Sequence, residues 1–247
     1  MKAMARHVSD EQVPDLAEGL GSETERAHVA ACGACAAKVG DARTALALAL
    51  PLGLAAAAPS AEEGVLPREA EREAIEACRR GEREAFDRLV LRYQRDVYRL
   101  CYRYVNSHED ANDLAQEAFL KAWRAIGRFR GDSSFSTWLY RIAVNACLNF
   151  RALRRPVTQE LPETLADPVP GAAARVEKDE EARRVRAAVS RLPERQRATL
   201  ILKVFHDLTH EEVASILGAS VGTVKSNLFH ALANLKRLLD GREGAVS

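Results

Sequence analysis

The sequence RAHVAACGAC places His28, Cys32 and Cys35 at His-x3-Cys-x2-Cys spacing. A helix starting after the capping box of Ser22 and Glu25 sets His28 and Cys32 one turn apart on one face, and Gly33 is expected to let the chain bend and bring Cys35 to them. One imidazole and two thiolates make three corners of a tetrahedral zinc site. His7, the only upstream His or Cys, is the expected fourth ligand. Read from these residues alone, two small buried thiols and a surface histidine stay open as the alternative.

A second chemistry-bearing stretch follows Arg128. Phe135, Trp138, Leu139, Ile142, Ala146 and Phe150 repeat at helical spacing, with Ser136, Thr137, Tyr140, Arg141, Asn145 and Asn149 between them. Rings that stack on unpaired bases, amides that reach base edges and guanidiniums that hold phosphates suit single-stranded nucleic acid. The same aromatic stripe would also serve as core, and Trp138 in particular could serve packing alone. A third candidate lies near the end, in LTHEEVASILGASVGTVKSNLFHALANLK. Thr209 with Glu212 forms a capping box, Gly218 closes that helix and Ser220 caps the next, as in a helix-turn-helix whose second helix enters the major groove. Thr223, Lys225, Ser226, Asn227 and His230 are its exposed candidates. Lys225 suits phosphate or guanine, and Asn227 suits adenine.

The elements that must position these groups are all helical. Ala111, Leu114, Ala115, Ala118, Phe119, Ala122, Trp123 and Ile126 form an apolar stripe on a helix expected to start at Ser107 and stop at Gly127. Its other face carries Asn112, Asp113, Gln116, Glu117, Lys121 and Arg124 around Leu120, which on pattern alone is a solvated face. Two earlier helices are expected either side of Gly81, the second with Phe86, Leu89, Val90, Tyr93, Val97, Leu100, Cys101 and Tyr104 inward. Cys78, Cys101 and Cys147 have no partners at ligand spacing and read as buried small residues. Pro156 to Gly171 is a Pro-rich acidic linker, and helices resume from Glu177.

Charge is unevenly spread. Nine acidic residues against five basic ones precede Gly64, whereas 18 basic against 13 acidic lie between Gly64 and Arg155, and eight against six follow Ser190. Two basic blocks suited to nucleic acid thus alternate with acidic segments. Five cysteines, an odd number, and an opening without an apolar leader run point to a reduced cytoplasmic setting. The stretch 44–61 is uncharged, but Pro51 and Gly53 interrupt it, so a helix and linker are expected rather than a membrane span. A zinc hydrolase is disfavoured, since no His-Glu-x-x-His run is present.

DANDLAQEAFLKAWRAIGRFRGDSSFSTWLYRIAVNACLNF resembles the second region of bacterial extracytoplasmic-function (ECF) sigma factors, the promoter-recognition subunits of RNA polymerase. The resemblance implies that Asp113, Gln116, Glu117 and Leu120 bind the clamp of the polymerase largest subunit. It implies also that Phe129, Arg130, Ser133, Trp138, Tyr140, Arg141 and Asn145 melt and read the minus-ten element. SVGTVKSNLFHALANLK resembles the minus-thirty-five reader of the same family, departing from it at Asn227, His230 and Ala233, where arginines are common. DLAEGLGSETERAHVAACGAC resembles the zinc-binding anti-sigma domain that sequesters such factors.

The expectation is therefore an all-α, non-enzymatic initiation factor. Its parts are a zinc-binding anti-sigma-like module (1–43), an apolar linker (44–66), region 2 (67–155), a linker (156–176) and region 4 (177–242). Core polymerase and promoter DNA are the expected partners, with the first segment or a separate anti-sigma factor as inhibitor. The alternative is a stand-alone helix-turn-helix regulator with a zinc-binding interaction domain.

Overall fold

The computed structural model describes residues 7–49, 67–153 and 172–241, and every regular element among them is a helix. The chain divides into two compact units, one of Met1–Ala56 with Arg184–Ser247, the other of Ala57–Arg183. The beginning and the end of the chain therefore fold together. Among the described residues no helix is long and apolar enough to cross a membrane.

In the first unit, α1 (Val13–Ala17), α2 (Glu23–Ala31) and α3 (Gly33–Ala49) form the N-terminal module. Ser22 and Glu25 close the expected capping box at α2. Cys35, Val39, Ala42 and Ala45 fall on one stripe of α3 and are buried with Val8, Val13 and Leu16. Two expectations are corrected here. The linker predicted from residue 44 is absent at that point, because α3 continues unbroken to Ala49; the rest of that stretch, 50–66, lies outside the described residues. The bend before Cys35 is made by Cys32, extended at φ −111° and ψ 108°, and Gly33 simply opens α3.

The second unit holds α4 (Arg68–Arg79), α5 (Arg83–Val105), α6 (His108–Ala125) and α7 (Phe135–Leu153). The long α5 packs against the other three. Its stripe, Leu89, Val97, Leu100, Cys101 and Tyr104, is fully buried, and each such leucine withdrawn from water contributes about 1.5–3 kcal/mol. Tyr93 donates from its hydroxyl to Glu71 at 2.6 Å, tying α5 to α4, and burial pushes its phenol well above the usual range. Asn106 ends α5 in the left-handed region at φ 54°, and Ser107 Oγ then accepts from the Asp110 amide to start α6. The stop expected at Gly127 comes earlier: α6 ends at Ala125 and tightens into a 3-10 turn over Ile126–Arg128.

The next helix, α8 (Ala172–Ser190), begins five residues before the expected Glu177, and the division between the units falls within it, at Arg183. After it come α9 (Glu194–Leu200), a widened π turn (Ile201–Phe205), α10 (His210–Leu217) and α11 (Val221–Leu239). The buried Arg197 donates to the carbonyls of Val189, Ser190 and Leu192 at 3.1, 2.5 and 2.8 Å, so its charge meets the open carbonyl end of α8. Linker residues 156–171 lie outside the described residues.

Candidate nucleic-acid interface and metal centre

His7, His28, Cys32 and Cys35 converge, with one ligand atom from each inside a common 4.8 Å. His7 Nδ1 is 3.5 Å from Cys32 Sγ and 3.4 Å from Cys35 Sγ, and His28 Nε2 is 3.4 Å from Cys35 Sγ. Tetrahedral zinc with its usual bond lengths spaces such atoms about 3.3–3.8 Å apart, so the donor set fits the ion in type, and these three of its six pairs fit it in span. Hydrogen bonding from the Cys35 amide holds the Cys32 thiol below its ordinary range, favouring the thiolate a metal needs. The Val8 amide donates to Cys35 Sγ at 3.4 Å, a supporting contact outside the ligand set.

On α6, Asp113, Gln116, Glu117 and Leu120 are all exposed, and Leu120, at 56 %, is one of four large apolar side chains turned to solvent among the described residues. The apolar stripe expected on the other side is inward, with Ala111, Leu114, Ala115, Ala118 and Ala122 buried. The seven candidates that follow divide. Arg130, Arg141 and Asn145 are exposed, and Ser133 and Trp138 are partly so. Phe129 and Tyr140, at 8 % and 7 % exposure, are core residues. Buried to that degree in this structure, neither ring presents the open face that the expected contact with a base would use. Phe129 packs on Trp138 and Phe135 at 5.2 and 5.8 Å between ring centroids, and Arg79 Nη2 holds its carbonyl at 2.6 Å.

The helix-turn-helix forms as the sequence requires. Thr209 and Glu212 cap α10 reciprocally, Gly218 turns the chain at φ 61°, and Ser220 Oγ accepts from the Thr223 amide at the start of α11. Thr223 and His230 are exposed, while Lys225, Ser226 and Asn227 are partly covered. What covers this helix is the N-terminal module, through α1 and α3. Lys225 Nζ donates to Asp15 Oδ2 at 2.6 Å, Lys203 pairs with Glu18 at 3.2 Å and Lys236 pairs with Asp41. His230 lies 4.0 Å from Asp10, His210 lies 3.5 Å from Asp15, and Lys38 stands 4.8 Å over the Phe229 ring. Sequence reading missed Lys203, Lys236 and all their acidic partners. Its one available signal was the excess of acid before Gly64 facing an excess of base after Ser190.

An exposed acidic helix face, a polar arginine-bearing helix beside it and a helix-turn-helix define a DNA-binding transcription factor of the sigma-70 type. The model of Sigma-70 region 2 matches residues 89–156, and that of Sigma-70, region 4 matches residues 182–235. The chain is 38% identical over 186 residues to the RNA polymerase sigma-H factor of Pseudomonas aeruginosa, covering 71% of this chain and 96% of that one. It is 40% identical over 168 residues to the ECF RNA polymerase sigma-E factor of Escherichia coli K12, covering 64% and 87%. The chain belongs to the ECF group of RNA polymerase sigma factors, which direct promoter-specific initiation. Its fold is similar to that of CnrH, solved in complex with the cytosolic domain of CnrY, with TM-score 0.54 and 26% identity over 70% of this chain and 99% of the other. The stand-alone regulator is not favoured by these relations. Both family-model matches begin beyond residue 88, so the module carrying the His/Cys cluster lies outside them.

Proposed function

We propose that this sigma factor docks on core polymerase through the exposed face of α6, with Asp113, Gln116 and Glu117 supplying charge and Leu120 an apolar anchor. The observation that carries this reading is Leu120 itself, a large side chain left in water on a charged face, with Asp113, Gln116 and Glu117 on one side and Lys121, paired with Glu117 at 2.5 Å, on the other, where no packing role within the described residues accounts for it. Arg130, Arg141 and Asn145, with Trp138 at the edge of its aromatic cluster, then hold the separated minus-ten strand, and Phe129 and Tyr140 keep that surface rigid from beneath. Thr223, Lys225, Ser226 and Asn227 at the start of α11, with His230, read the minus-thirty-five element. Positioning and binding are the whole of this activity; no catalytic centre is assigned. Zinc, when bound by His7, His28, Cys32 and Cys35, supplies a structural tie between the chain before α1 and the α2–α3 junction.

Charge reversal tests the docking face. Asp113→Lys with Glu117→Lys is expected to abolish co-purification with core polymerase while leaving far-UV circular dichroism unchanged, since both side chains are exposed. Normal assembly of the double variant would remove this assignment.

A further inference from the structure

The acids that face α11 and the π turn before α10 come from three places in the N-terminal module: Asp10 and Glu11 before α1, Asp15 and Glu18 in or just after it, and Asp41 on α3. Their partners are not scattered. Lys225 and Lys236 are eleven residues apart, three turns along one side of α11, and each takes an acid from a different helix. Lys203 supplies a third cation from the π turn before the helix-turn-helix. At the start of α11 the approach is close: a methyl group on Gly222 would lie 3.1 Å from Glu11 Oε1. Carboxylates beside a helix N-terminus and over its lysines stand where backbone phosphates stand when such a helix enters DNA.

We propose that Asp10, Glu11, Asp15, Glu18 and Asp41 act as a phosphate mimic covering the DNA-reading side of α11, and that Lys203, Lys225 and Lys236 are phosphate contacts of this sigma factor. The proposal rests on α11 being the minus-thirty-five reader and adds Lys203 and Lys236 to it. Partly exposed ion pairs are individually weak. The cover holds because it is tethered: contacts within one chain act at an effective concentration of about millimolar, above the roughly 1–100 μM at which proteins bind DNA non-specifically. Duplex and module compete for the same lysines, so the bound module excludes the duplex.

The test uses the full chain, a fluorescent 30-base-pair duplex of arbitrary sequence and anisotropy at low salt. Neutralising the mimic (D10N, E11Q, D15N, E18Q, D41N) is expected to tighten binding about tenfold and to steepen the salt dependence by roughly 0.9 per recovered phosphate contact. A control with the same change in net charge on the other unit (E69Q, E73Q, E84Q, D87N, E109Q) separates uncovering from added charge. No more gain in the mimic variant than in this control overturns the proposal. Lys225→Ala with Lys236→Ala, added to the mimic variant, should return affinity to near the wild-type value. If the gain survives those two changes, the phosphate contacts are misassigned and the reading of α11 fails with them. A measurement without DNA decides the cover separately: Lys225, expected to be acetylated slowly in the wild type, should become several-fold more reactive in the mimic variant, while Lys121, exposed and paired with Glu117 on the other unit, keeps its rate; unchanged Lys225 reactivity would refute the cover.

Discussion

His210 is the first residue of α10 and is buried to 9 % exposure, with Lys203 from the π turn, Asp15 and Glu18 from the module and Lys225 from α11 around it. Burial, reinforced by the two lysines, lowers its pKa below the ordinary 6.5, and the two carboxylates only partly oppose this. The folded chain therefore takes up this proton less readily than the unfolded one. The sign follows: stability is at its full value above pH 6.5 and falls as the pH drops below it, because only the unfolded state is then protonated. The urea midpoint of the full chain should decline between pH 7.5 and 5.5, and His210→Gln should flatten that decline relative to wild type. Parallel profiles would show that His210 does not carry it. At this scale the sequence was uneven as a guide. The convergence of His7, His28, Cys32 and Cys35 was legible because a His/Cys motif is local spacing and only one histidine lay upstream. The pairing of Asp15 with Lys225 was not, because 210 residues separate them and no periodicity links the two. The burial of Phe129 was missed for a related reason: it lies in the segment before α7, where no periodicity says that Phe135 and Trp138 pack against it.

Between α10 and α11 the turn chemistry was readable to the residue. Thr209, Glu212, Gly218 and Ser220 each do what their type predicts, because caps depend on three or four neighbouring residues and not on the rest of the fold. Thr209→Ala should cost about 1 kcal/mol by leaving the Glu212 amide without its acceptor. Gly218→Ala should cost about 1 kcal/mol or more, because φ of 61° is strained for any residue with a Cβ, although the space around it is open. Thermal unfolding of the two single variants and the double variant checks both, and the effects should be less than additive only if loss of the cap already frays the turn. A Gly218→Ala protein as stable as wild type would show that the left-handed turn is not needed. Helix ends set by tertiary packing were less legible. Gly127 reads as a stop, yet α6 gives way two residues earlier to a 3-10 turn with Ile126 buried, and α3 runs on to Ala49, inside the stretch given to the linker from residue 44, with Ala42 and Ala45 both core.

For the molecule as a whole, the question is what keeps the N-terminal module folded. Its buried apolar set is Val8, Val13, Leu16, Cys35, Val39, Ala42 and Ala45, few and mostly small, and a segment of this size rarely stands on apolar burial alone. Two further supports are visible. One is the face of α11, which α1 and α3 share; the other is the His/Cys cluster, which brings residue 7 beside the α2–α3 junction and, on the proposed zinc reading, would fasten it there. Because metal binding to such a set is coupled to folding, removing the ion should loosen the module before the helix-turn-helix. Trypsin in the presence of a zinc chelator is expected to cut quickly after Arg26, Lys38 and Arg43, while cuts within 184–241 stay slow, since Leu200, Ile201, Leu228, Leu232 and Leu235 form a core of their own there. Added zinc should restore protection, and Cys32→Ser with Cys35→Ser should reproduce the chelated pattern with or without metal. Identical cleavage in all four conditions would mean that the cluster does not hold the module. If the predicted pattern appears, the ion that folds the module also keeps Asp15 over Lys225, and chelation should then raise affinity for duplex DNA in step with the loss of protection.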